Sequence, residues 1–286
     1  MAIVLTISNN KGGVGKSQFT VQTAAGLARR GSRVLVIDMD PQANATRRLG
    51  VEWDPAAPIL TMSEVIKADA EGAGEQAVIA CGWVDEDGTP TSEAELIDVL
   101  PARFDLINRE SESGVLGAVR RLKKALDGWV DDYDFVLIDT RPDLGHLVQM
   151  AMAAAHYVII PTEPGYDGVE AAIRVSDFVS QHAVDLANPT LQIGGVVVTR
   201  RKATAEKDFQ LAGLADRFGE LVWNLAGPTE VRGVEIITPK HIPEWSRFDE
   251  ADAAAVSLSA WNDKRGRETV AIYDQVARRI TERVAG

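Results

Sequence analysis

Ile3-Val4-Leu5-Thr6-Ile7-Ser8-Asn9-Asn10-Lys11-Gly12-Gly13-Val14-Gly15-Lys16-Ser17-Gln18 lies at the start of the chain, and its reading decides the fold. Ile3, Val4, Leu5 and Ile7 make a short apolar run with β-branched residues, as a strand buried on both faces requires. Beyond Ser17, Val21, Ala24, Ala25 and Leu27 recur at helical spacing, and Gly31 ends that run. Between strand and helix stand glycines, a lysine and a hydroxyl, which is the layout of a phosphate-binding loop. Its backbone N–H groups converge on phosphate oxygens, and the helix N-terminus adds a positive dipole. Gly12, Gly13, Val14, Gly15, Lys16, Ser17 and Gln18 are the expected nucleotide contacts. Lys16 counters the β- and γ-phosphates, and Ser17 offers its hydroxyl to Mg²⁺.

The general pattern G-x-x-x-x-G-K-[ST] fails at its first glycine, where Asn10 stands. A second lysine, Lys11, occupies the next position instead. This arrangement resembles the deviant Walker A motif of the ParA/MinD ATPase superfamily. Val34-Leu35-Val36-Ile37 predicts a second buried strand, which delivers Asp38 and Asp40 to its carboxyl end. In parallel sheets that end faces the ligand. Asp38-Met39-Asp40-Pro41-Gln42-Ala43-Asn44-Ala45-Thr46 is similar to the family's Walker A′ motif. The resemblance implies that Asp38 belongs to the outer shell of the metal and that Asp40 positions the attacking water. Phe135-Val136-Leu137-Ile138-Asp139 resembles Walker B, where Asp139 holds Mg²⁺ through water. Arg141 stands where the family usually has proline; phosphate, an acidic partner and solvent are all open as its contact.

Composition bounds the answer. The 286 residues fit one α/β domain, spanning 1–286, with length enough for a sizeable core. Cys81 is the single cysteine, so neither an internal disulfide nor an iron–sulfur ligand set is available. The N-terminus lacks a basic stretch ahead of an apolar core, and no stretch is long and apolar enough to span a membrane, so a cytoplasmic protein is expected. The net charge of −12 argues against a generally basic, DNA-coating surface.

Further along, strands are expected at 157–162 and 193–199, with helices at 110–129, 169–181, 209–218 and 268–284. Segments 77–84 and 95–100 are expected to pair as strands, and 67–93 to form an elaborated surface segment. Strands alternating with helices predict a doubly wound, mostly parallel sheet with helices on both faces. The family resemblance implies an adenine contact near Thr199, a base-pocket wall at Pro243, and DNA binding by the loop Arg200-Arg201-Lys202. Because the loop follows the first residues at once, the chain is expected to resemble the shorter partition ATPases, which have no helix-turn-helix extension ahead of it.

By that resemblance the chain is an ATPase using ATP and Mg²⁺, with Lys11, Lys16 and Asp40 in the catalytic machinery. It is expected to form a homodimer with ATP, with Lys11 reaching the phosphates of the other subunit. The dimer would bind DNA without sequence preference, associate with the nucleoid, and be stimulated by a ParB-like centromere-binding protein. The alternative is a MinD-like or cargo-positioning ATPase acting on a membrane or a protein assembly. A membrane role is disfavoured, because the final helix carries Val270, Tyr273, Val276, Ala277, Ile280 and Val284 on its apolar face and lacks Phe, Leu and Trp there.

Overall fold

The structure is a computed structural model and describes residues 1–284. Nine strands form, in chain order β1 (Ile3–Ile7), β2 (Val34–Met39), β3 (Ile79–Ala80), β4 (Ile97–Leu100), β5 (Phe135–Thr140), β6 (Tyr157–Thr162), β7 (Gln192–Val198), β8 (Gly227–Val231) and β9 (Val234–Thr238). The helices are α1 (Lys16–Arg29), α2 (Asn44–Arg48), α3 (Met62–Ala68), α4 (Arg121–Leu126), α5 (His146–Ala154), α6 (Tyr166–His182), α7 (Ala205–Phe218), α8 (Ser246–Ala254) and α9 (Lys264–Val284). Seven strands make one sheet in the order β3-β4-β2-β5-β1-β6-β7, and β8 and β9 form a separate hairpin. Every pairing in the large sheet is parallel except β3 with β4. The expected fold class is therefore the observed one.

Alternation along the strands sorts the core into two layers. Leu5, Ile7, Val34, Val36, Phe135 and Leu137 face α1 and α9. Val4, Leu35, Ile37, Val136 and Ile138 face α5 and α6. The same parity carries Asp38 and Asp139 onto the α1 side at the carboxyl end of the sheet. There β2 and β5 set them side by side in register.

Helix α9 packs along α1. At Gly26 a Cβ would come within 2.6 Å of the Tyr273 carbonyl oxygen, so the two helices can approach this closely only at a glycine. Val270, Tyr273, Val276, Ala277 and Ile280 are buried in this contact. The side chain of Val284 lies outside the described residues. No described helix is long and apolar enough to cross a membrane.

Two expectations are corrected. The continuous helix at 110–129 is instead a 3₁₀ segment, Phe104–Gly114, followed by a break and the short α4. Gly117 sits at φ +81°, which an α-helix cannot accommodate. The pairing expected between 77–84 and 95–100 is confined to residues 79–80 against 98–99, and the segment 67–93, exposed over most of its length, is anchored at a few points. Ala77, Cys81 and Trp83 are buried, Trp83 Nε1 donates to the Arg48 carbonyl at 2.7 Å, and residues 79–80 form the antiparallel edge strand. In addition, residues 227–238 form a hairpin that the expectations above did not include.

Candidate nucleotide site

The loop after β1 is pinned at both ends. Asn9 Nδ2 donates to the Pro161 carbonyl at 2.8 Å, and the Lys11 N–H donates to Asn9 Oδ1 at 2.9 Å. Val14 is fully buried, and its carbonyl accepts from Thr199 Oγ1 at 2.9 Å. Gly13 and Gly15 sit at φ +79° and +83°, a region that side chains with a Cβ rarely adopt. Nothing lies within 4 Å of where a Cβ on Gly12 or Gly13 would stand. The loop thus opens a backbone-lined cleft of about 270 Å³, which Lys16, Ser17, Gln18, Asp40, Arg48 and Asp252 also line. This is the cradle a polyphosphate needs at a helix N-terminus.

Lys16 is buried, and its Nζ donates to the Lys11 carbonyl at 3.3 Å. Burial lowers its pKa, opposed by the nearby Asp139, Asp40 and Asp143 carboxylates. Its charge is therefore poorly solvated and has one long hydrogen bond, so an anion in the cleft is a better partner than the one it has.

The acids divide the work. Asp38 is fully buried. Its Oδ1 accepts from the Asp40 N–H at 3.0 Å, and its Oδ2 accepts from the Thr46 N–H and hydroxyl, both at 2.8 Å. Asp38 therefore braces the loop that carries Asp40. Burial, with the Asp139 charge next, pushes its pKa up to about 7. Asp139 Oδ1 accepts from Thr20 Oγ1 at 3.1 Å, while its buried Oδ2 has no hydrogen-bond partner among the described residues. Burial raises this carboxyl to about 6, against the pull of the Ser17 hydroxyl and the Lys16 ammonium. Asp40 lies at the cleft wall, its Oδ1 accepting from the Gln42 N–H at 2.9 Å.

An orphaned carboxylate oxygen beside the Ser17 hydroxyl fits a hard, oxygen-seeking cation. Among the described residues no group of three or more His, Cys, Asp or Glu could hold a metal alone. The donor set thus suits Mg²⁺ that draws its other ligands from phosphate and water. Ser17, Asp139 and, through the braced loop, Asp38 would hold it.

Lys11 points out of its own cradle, with Nζ 4.0 Å from Glu163 and the side chain 30% exposed. Thr199 and Pro243 both line a narrow pocket beside the loop, together with Trp245 and Phe248. Those two rings stack at 6.1 Å with planes 6° apart. The basic loop differs from its expected form. Arg201 pairs with Asp208, and Lys202 Nζ lies 2.9 Å from Glu244, so neither presents an unpaired charge. Arg200 turns toward the nucleotide cleft. Arg141 pairs with Glu110 at 3.1 Å and with Asp143. Glu110 in turn accepts from the His146 N–H at 2.8 Å, capping α5.

Sequence reasoning missed Asp252. From α8 it accepts from Gln18 Nε2 at 3.1 Å and pairs with Arg48 Nε at 2.8 Å, closing one side of the cleft. In the sequence it is one of several acids around Ala251, with nothing local to single it out.

A family model described as an AAA domain matches residues 2–193. Soj of Bacillus subtilis is 32% identical over 246 residues, covering 84% of this chain and 89% of that protein. The chromosome partitioning protein ParA of Caulobacter vibrioides is 33% identical over 235 residues, covering 80% and 81% respectively. Among solved structures, Cyanothece McdA(D38A) in an ATP complex superposes with a TM-score of 0.75 at 24% identity, covering 98% of this chain and 96% of that one. With its two-lysine loop and paired strand-end acids, the chain belongs to the ParA/Soj family of P-loop ATPases.

Proposed function

We propose that this protein is an ATP-switched dimer that hydrolyses ATP slowly alone and faster with a partner, in partition of a replicon. The observation that carries the reading is Lys11. Its backbone helps shape the cradle, yet its side chain stands outside it, partly exposed beside Glu163. A lysine so placed is available to phosphates bound by a second copy.

Within one subunit the roles follow from chemistry. Backbone N–H groups of residues 12–18 hold the phosphates, and Lys16 exchanges the Lys11 carbonyl for phosphate oxygens. Magnesium, when bound, neutralises charge on the β- and γ-phosphate oxygens. Asp40, held by the Asp38–Thr46 brace, orients the attacking water. Pairing of copies would bring Lys11 to the γ-phosphate and complete the charge neutralisation on which phosphoryl transfer depends.

Non-specific DNA binding by the ATP state, and stimulation by a ParB-like partner, belong to the same reading. DNA would have to compete with Asp208 for Arg201 and with Glu244 for Lys202. A membrane role is weaker, since the apolar face of α9 is used against α1.

Light scattering with a non-hydrolysable ATP analogue and Mg²⁺ tests the dimer. Wild type should double in mass, and Lys11→Ala should stay monomeric while still binding the analogue. A monomeric wild type, or a Lys11→Ala variant that dimerises normally, sinks the cross-subunit role.

A further inference from the structure

Arg200 does not behave like its two basic neighbours. Thr199 N–H donates to the Thr162 carbonyl at 2.9 Å, and Arg201 N–H donates to the Ile242 carbonyl at 3.0 Å. Held between these bonds, Arg200 adopts φ +50°, in the left-handed region where non-glycine residues are uncommon. A backbone forced into that region is a reason to ask what the side chain does there.

The Arg200 side chain is 38% exposed, but its inner part reaches the loop. Arg200 Nε is buried without a hydrogen-bond partner among the described residues, and it lies 3.9 Å from where a Cβ on Gly15 would be. The nearest acid is Asp249, an exposed side chain 3.9 Å from one terminal nitrogen. Arg201 also has one buried terminal nitrogen without a partner, but its other terminal nitrogen is paired with Asp208, and Lys202 is paired with Glu244. Arg200 lines both the phosphate cleft and the narrow pocket of Thr199 and Pro243, and so do Gly15 and Gln18. It therefore stands at the seam between the two. With the terminal phosphates on Gly12, Gly13 and Lys16 and the base toward Thr199 and Pro243, as the proposed function has them, the anion that falls at that seam is the α-phosphate.

We infer that Arg200 is a third cation of the nucleotide site, binding the α-phosphate, rather than part of a DNA-binding loop. This rests on the ATPase reading above. A guanidinium with an unsatisfied buried N–H suits the task, because it presents several donors in a fixed plane to phosphate oxygens. The Arg200 position falls outside the span matched by the family model, which ends at residue 193.

The left-handed backbone supplies a clean test. Arg200→Gly removes the guanidinium and relieves the backbone, so the free protein should melt no lower than wild type. Titration calorimetry should nevertheless show ATP·Mg²⁺ and ADP·Mg²⁺ both weakened, by about tenfold or more. GTP, where it binds, should be weakened by the same factor. Arg200→Lys should recover part of the loss, and Arg217→Ala, at a cation that pairs with Asp177 and lines neither pocket, should bind nucleotide as wild type does. Wild-type affinity in Arg200→Gly overturns the inference. So does a loss confined to ATP, which would mean a γ-phosphate contact, or a loss for ATP but not GTP, which would mean a base contact. A wild-type protein that binds no nucleotide would overturn the ATPase reading as well, whereas an indifferent Arg200→Gly beside a nucleotide-binding wild type overturns this inference alone.

Discussion

The cradle and the basic loop both read as clusters of charge, yet they handle it in opposite ways. At the cradle, Lys16 and Asp139 are buried with few partners: Lys16 has one long bond to a carbonyl, and Asp139 keeps one oxygen bare. At 200–202, Arg201 and Lys202 are cations already matched by acids. Desolvated, under-satisfied charge is costly to hold and gains most from a ligand. A cation already paired with an acid gains less, because a ligand must first displace that acid. The residues to test first are therefore those whose partner is missing, and counts of lysines and arginines are a poor guide. Arg200 belongs with the cradle by this measure, although sequence proximity groups it with the loop.

The largest expected effect tests the cradle. Lys16→Ala should weaken ATP·Mg²⁺ binding by about 100-fold or more, since the phosphates lose a buried, charge-assisted donor. Isothermal titration reads it directly. Near-normal affinity in that variant would mean the desolvated lysine is structural, and the contrast with the loop would collapse.

Next comes Asp40→Ala, which separates binding from chemistry. It should bind ATP and dimerise but turn over at least about tenfold more slowly, because the water loses its orienting carboxylate. Phosphate release measured beside nucleotide binding decides it. Unchanged hydrolysis would move the role to another acid, and Asp38 is a poor replacement because both its oxygens are engaged by Asp40 and Thr46.

How much of this was legible follows from how local each feature is. The loop, the strand-end acids and the doubly wound sheet depend on residues near one another in sequence, so their spacing reveals them. The helix expected at 110–129 had suitable apolar spacing, but Gly117 at φ +81° broke it, and periodicity does not register one backbone torsion. Burial of Trp83 needed the Arg48 carbonyl, 35 positions away, and Asp252 needed Gln18 and Arg48 across the fold. Ion pairs were the least visible. Nothing in Arg200-Arg201-Lys202 says that Asp208 and Glu244 will neutralise two of the three.

A third test addresses the loop. If DNA binds the ATP state through Arg201 and Lys202, replacing both with alanine should weaken binding uniformly across sequences. The salt slope should flatten by roughly 0.9 for each phosphate that is no longer neutralised. Gel shifts with ATP, ADP and no nucleotide, at two salt concentrations, give the result. Binding that is equal in all three states, or absent from all, would break the ATP–DNA switch and leave positioning of a protein assembly as the role to examine.

The smallest effect asks whether the paired loop still exerts a local field. His241, just before Ile242 and Pro243, is half-buried, and its Nδ1 has no hydrogen-bond partner among the described residues. Burial, then the Arg201 and Lys240 charges, push its pKa down to about 4. Between about 4 and the ordinary value near 6.5 the unfolded chain therefore binds more protons than the folded one, so stability falls as pH falls. The His241 contribution is intact above about pH 6.5 and is lost progressively toward about pH 4. Each pKa unit is worth about 1.4 kcal/mol, but part of the ring meets solvent, so screening reduces the expected loss to about 1 kcal/mol at pH 5. In a chain of this size that corresponds to roughly 2 °C in melting temperature. Thermal melts of wild type and His241→Gln at about pH 7.5 and about pH 5 isolate it, because titrations elsewhere cancel in the difference. Wild type should lose about 2 °C more than the variant on acidification. If Arg201→Ala reduces that excess, the loop cation reaches the imidazole despite its pairing with Asp208. An unchanged excess would assign the shift to burial alone, and a parallel response of wild type and His241→Gln would remove His241 from the pH dependence altogether.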